Sequence, residues 1–275
     1  MRIFLQGGIL LAALFFSCVS VAGPVTSSTV DKLMILSGIS KQSEGVSGMV
    51  LASVQQARQG TQMSDSEFEA ISQSMADAFK ARDFVSTAAM EVSRVMSEEE
   101  AAILLSWYQS DIAKKITREE ENASTAEAYQ EMIQQAQTLL ENQEKVAFAQ
   151  KLDQLIKMSE MSYQMQLKSA TTVVTAMSSV MNKGQAVNLD GFMAQMAAQE
   201  QQMRTNSYQM SILTLAYNYR NIEQPVLDKY LEILQEPAMS KFTDATSQGF
   251  QIAFDQAIDK MARSIAKVFE EYKKP

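Results

Sequence analysis

Apolar residues recur at steps of three and four along most of this chain, the spacing that buries one face of an α-helix. The clearest run goes from Phe250 through Phe254, Ile258, Met261, Ile265, Val268 and Tyr272. No segment alternates apolar and polar residues for long between turn residues, so the pattern gives no strand. Between Pro24 and Pro225 there is no proline, and the stretch is rich in Ala, Met, Gln, Glu, Lys and Leu, which lose least entropy in a helix. The fold class read from this pattern is all-α. Helices are expected near 28–42, 44–59, 65–82, 84–96, 98–109, 111–121, 124–148, 151–182, 190–220, 224–235 and 237–272.

Several helix ends carry local signals. Ser97 with Glu100, and Thr117 with Glu120, have the spacing of a capping box, in which hydroxyl and carboxylate each accept from a free backbone N–H. Pro237 suits a first helical turn, and Gly60 and Gly184 suit ends or turns.

The first 22 residues read differently from the rest. Arg2, a polar gap, and an apolar run from Ile9 to Ala22 make a cleavable export signal too short to span a bilayer, with Ser20 and Ala22 as the small residues before cleavage. Phe15 and Phe16 ahead of Cys18 argue against a lipid anchor. Cleavage after Ala22 removes the only cysteine, so the mature chain is expected in the periplasm without a disulfide and without a membrane span.

The remainder carries an internal repeat. Val30–Gln42 lines up with Leu152–Gln164, sharing Asp, Leu, Ser, Ser and Gln, and Leu105–Thr117 lines up with Leu231–Thr243 at nearly the same offset. Farther on, Tyr129, Ile133, Ala136 and Leu140 shadow Phe254, Ile258, Met261 and Ile265. Matches in the same order point to two related helical units in tandem, 23–148 and 149–275, packed as a helical bundle.

Composition narrows the chemistry. The 275 residues include no histidine, and the formal net charge is −8. Without imidazole the commonest general base and the commonest metal ligand are missing, so Ser/His/Asp, Cys/His and zinc-hydrolase schemes fall away. An acidic surface repels phosphate backbones and anionic head groups, which disfavours nucleic acid as a partner.

The stretch Met96-Ser97-Glu98-Glu99-Glu100 through Trp107-Tyr108-Gln109-Ser110 to Lys114-Lys115-Ile116 resembles the family called domain of unknown function 2059. Trp107 and Tyr108 correspond to its aromatic pair, Ser110 to its serine and Lys114 to its basic residue; Asp111 and Ala113 stand where proline and glycine are usual. The second unit keeps the proline at Pro237 and the basic residue at Lys241, with Ile233-Leu234 in place of the aromatics. The resemblance implies an exported, all-helical bacterial protein and brings no activity or catalytic residue.

Four constellations remain as candidate chemistry. Glu98-Glu99-Glu100 and Glu119-Glu120-Glu121 cluster carboxylates, read first as solvated charge in terminal helical turns and alternatively as acid–base or cation-holding groups. Ser264 and Lys267 lie one helical turn apart, as a serine nucleophile with a desolvated lysine base would require. Among 19 methionines, Met158, Met161 and Met165 share one helix face, as do Met193, Met196, Met203 and Met210. Such stripes suit core packing first, then an adaptable groove, then soft Cu(I) ligation. Trp107, Tyr108, Tyr208, Tyr217, Tyr219 and Tyr230 are read as core or boundary residues, or as the lining of a pocket between the units.

The reading that ranks first is a non-enzymatic binding or chaperone-like protein with no cofactor and a protein, peptide or lipid partner. A hydrolase built on carboxylates or Ser264/Lys267, and Cu(I) handling by the methionines, are the alternatives.

Overall fold

The computed structural model describes residues 23–58, 64–181 and 189–272. The expected export signal, Gly60 and Gly184 lie outside them. The helices are α1 (Ser27–Leu36), α2 (Ile39–Arg58), α3 (Asp65–Ala78), α4 (Ala81–Val95), α5 (Glu98–Tyr108), α6 (Asp111–Ala123), α7 (Ala126–Gln134), α8 (Ala136–Glu141), α9 (Gln143–Ile156), α10 (Met158–Met181), α11 (Leu189–Asn218), α12 (Gln224–Leu234) and α13 (Pro237–Tyr272). The all-α reading holds. Among the described residues there is no strand, only an isolated bridge between Pro24 and Ser97, and no helix is long and apolar enough to cross a membrane.

Caps explain where the helices begin. Ser97 accepts from the Glu100 N–H while the Glu100 carboxylate accepts from the Ser97 N–H, so the expected capping box forms at α5. Thr117 does not repeat it. It lies in the middle of α6, whose actual cap is Ser110, accepting from the Ala113 N–H. A Ser/Thr-x-x-Glu spacing marks a start only when the preceding residues leave the helix, and Asp111 to Ile116 are already helical.

Three expected helices are cut where the pattern gave none. The 124–148 stretch divides into α7, α8 and the start of α9, with Thr125 and Asn142 accepting from the N–H groups of Ala128 and Lys145. The 28–42 helix stops at Gly38, whose φ of +76° suits glycine; a side chain there would also press on Thr117. The 151–182 helix breaks at Lys157, held left-handed at φ 55°. Buried Asp153 stabilises that corner, its carboxylate accepting from the Ser159 N–H and hydroxyl at 2.8 and 2.6 Å. Asp31, the residue aligned with Asp153, is exposed.

The main core draws on both halves of the chain: Leu33, Val92 and Leu104 pack in one cluster with Phe148, Leu152, Leu215, Leu227, Met239 and Phe242. In the second aligned stretch α5 and α12 occupy corresponding positions, and α6 and α13 each begin after two intervening residues, the latter at Pro237 as expected. The long α13 lies against α4, α3 and α10. It approaches α4 so closely that a Cβ on Gly249 would sit 2.4 Å from the Ala88 Cα. A second cluster extends that contact, with Phe79 packed on Phe84 and Phe254 at ring separations of 6.3 and 5.8 Å. These contacts fix α13 as one wall of the site described next.

Candidate functional site

On α6, Ala113, Ile116 and Thr117 are buried, and Glu120 continues their stripe one turn on. Its carboxyl therefore turns inward while its neighbours turn out. Glu119 accepts from the Asn221 amide at 2.9 Å, and Glu121 pairs with Lys41 at 3.0 Å. The Glu120 Oε1 accepts from the hydroxyls of Tyr219 and, at 3.0 Å, Tyr230. The Tyr219 ring is itself held edge-on against buried Phe148, with centres 5.1 Å apart.

Burial pushes the Glu120 carboxyl above the usual carboxylate range; hydrogen bonds from Tyr219, Tyr230 and Gln42 oppose the rise and neighbouring Glu121 adds to it. Burial and the nearby Glu120 carboxyl together push the Tyr219, Tyr230 and Tyr108 phenols up as well. The cavity thus brings a carboxyl raised by burial together with phenols that burial also raises.

These groups line a cavity of about 300 Å³, the rest of whose wall includes Leu152, Ile156, Leu215 and Phe242. Met158 and Met161 also line it, and the same two thioethers line a more open groove of about 680 Å³ with Met165, Gln166, Ala170 and Phe254. Cavity and groove thus adjoin across two methionines. The chain offers a more polar, less open end and a more apolar, more open end within the size range of ligand pockets, roughly 300–1,000 Å³.

The chemistry available there is limited. Among the described residues Glu120 is the only acidic one lining the cavity, and no Lys, Arg or Cys joins it. Acid–base glycosidase chemistry needs a second carboxyl about 5–9.5 Å away across the substrate. Ser264 and Lys267 do not supply another centre, because Lys267 is exposed and so lacks the desolvation a neutral lysine base requires. Among the described residues no group of three or more His, Cys, Asp or Glu could hold a metal ion.

Other expected residues have structural partners. Glu98 accepts from the Thr26 N–H and the Thr29 hydroxyl, which hold its carboxyl below the usual range and tie the start of α1 to α5. Glu100 pairs with Lys241, the main reason its carboxyl also lies low. Of the family-like residues, Trp107 packs against the main core, the Tyr108 hydroxyl approaches the Met239 Sδ at 3.6 Å, Ser110 is a cap and Lys114 is exposed. Tyr217 is buried away from the cavity, donating to Glu131 at 2.7 Å beneath the Arg220 guanidinium. Met193 and Met210 are exposed, so that stripe is not a continuous core face.

The reading of Glu119-Glu120-Glu121 as solvated charge is corrected at its middle residue. Of the aromatic set, Tyr108, Tyr219 and Tyr230 meet in the cavity, whereas Tyr208 lines a separate surface pocket beside Leu140 and Met210. Comparison of the chain with protein-family models, with characterised proteins and with solved structures finds no match.

Proposed function

We propose that this is an exported, non-enzymatic binding protein that takes an amphiphilic lipid or peptide segment into the methionine groove and the cavity beside it. The observation that carries the reading is the shared lining: Met158 and Met161 join an open apolar surface to an enclosed polar end. Methionine suits such a surface because its unbranched thioether repacks around different shapes. The missing imidazole, the single carboxyl among the described cavity residues and the exposed Lys267 favour binding over hydrolysis. Export rests on the short apolar leader, and the corresponding placement of α5 with α12 supports two copied units.

The test is titration with the neutral apolar dye N-phenyl-1-naphthylamine. Saturable one-to-one binding is expected, weakened about tenfold by Met161→Gln, since a buried amide without partners costs on the order of 1–3 kcal/mol. Absent or non-saturating binding contradicts the reading. Recovery of a periplasmic chain beginning at Gly23 would support export; a cytosolic chain retaining Met1 would oppose it.

Cu(I) handling stands second, because Met158, Met161 and Met165 line one groove. On that reading Cu(I) raises the melting temperature, and Met→Leu at all three positions abolishes the rise.

A further inference from the structure

The enclosed end of the cavity has a one-sided charge balance. Among the described residues its lining holds one carboxyl, Glu120, and no Lys or Arg. Three phenol rings share the space, Tyr108 from α5, Tyr219 just after α11 and Tyr230 from α12, with the centres of the last two 5.9 Å apart. Aromatic faces carry negative potential and attract a cation within roughly 6 Å, most strongly where water is excluded. A bound anion would face the Glu120 carboxyl with no counter-charge among the described lining residues. A neutral head leaves the raised Glu120 carboxyl free to hold its proton and gains no charge pairing from it, whereas a cation can pair with the carboxylate.

We propose that the cavity takes an organic ammonium head group, held by the Glu120 carboxylate among the rings of Tyr108, Tyr219 and Tyr230, with its apolar tail running out along Met158, Met161 and Met165. This rests on the amphiphile-binding reading and adds the charge class of the ligand. The net charge of −8 favours the approach of such a cation.

Proton linkage follows from the groups that face Glu120. They are Tyr108 of α5, Tyr219, Tyr230 of α12, Gln42 of α2 and Glu121 of its own helix. The phenols are held neutral, and the Glu120 carboxyl is raised by burial, so an arriving ammonium favours loss of its proton. Binding therefore weakens as pH falls through the raised Glu120 value, with a proton released on binding in that range.

The experiment is calorimetric titration of the folded protein at neutral pH with three ten-carbon probes below their micelle concentrations: decyltrimethylammonium, decanol and decanoate. The ammonium is expected to bind at least about tenfold more tightly than the other two. Glu120→Gln should bring the ammonium close to decanol, removing the tenfold preference. Tyr230→Phe keeps the ring and removes one donor to Glu120; it should retain the preference and serves as a folded comparison if the Gln variant is unstable. Decanol binding with no ammonium preference would overturn the charge class and leave the amphiphile reading standing. Failure of all three probes would overturn both. Tight ammonium binding untouched by Glu120→Gln would place the cation elsewhere on the acidic surface and equally overturn the proposal.

Discussion

The two ends of the site are built on opposite principles. Around Glu120 every named polar group has a partner, and Phe148, Tyr219 and Tyr230 interlock, so the geometry is set before any ligand arrives. Along α10 the lining is mostly half-exposed thioether and small polar groups, with Gln166 donating to Ser207 of α11 at 3.1 Å and the methionines free to repack. A fixed polar end selects by charge and hydrogen bonding. An adaptable apolar end contributes affinity with little shape preference. Substitutions at the two ends should therefore separate stability from binding.

The largest stability loss should come from the fixed end. Phe148→Ala removes a ring that is 1% exposed and supports Tyr219, and is expected to cost about 3–5 kcal/mol in chemical denaturation. A smaller loss, about 1–3 kcal/mol, is expected for Gly249→Ala, because its Cβ would meet backbone of α4 and shift the α13 wall that carries Phe254. By contrast, Met161→Leu in the groove should stay within about 1.5 kcal/mol, since the site is open and the volume is conserved. A groove substitution as costly as Phe148→Ala would break the contrast between the ends.

The pH dependence sharpens it further. A carboxyl raised in the folded state binds protons more readily than in the unfolded chain, whose glutamates titrate near 4.5. Its contribution is present at low pH and is lost as pH rises from about 4.5 through the raised folded value. Glu98, Glu100 and Glu131 are lowered and act in the opposite sense, losing their contribution as pH falls below about 4.5. Melting temperatures of Glu120→Gln minus those of the unaltered chain should therefore climb with pH above about 4.5. A flat difference would mean that Glu120 is not enclosed.

Much of the fold could be read from the residues. Ser97 and Glu100 placed the start of α5, and Pro237 placed the start of α13, because both act through local backbone chemistry. The breaks at Lys157 and within 124–148 escaped, since Ala- and Gln-rich sequence is equally good helix on either side and the corner depends on Asp153 reaching Ser159. The candidate site was half legible. Met158, Met161 and Met165 were visible as one helix face, and the tyrosines as potential lining. Glu120 was hidden by a local pattern that imitates a helix start. The stripe Ala113, Ile116, Thr117, Glu120 carried the signal that it points inward.

The most direct measurement follows the side-chain carboxyl carbon of Glu120 by NMR across pH, with and without decyltrimethylammonium. A titration above the usual glutamate range in the free protein, moving to lower pH on saturation with the ammonium, is the expected result. A Glu120 that titrates near 4.5 and does not respond to the ammonium would contradict the account.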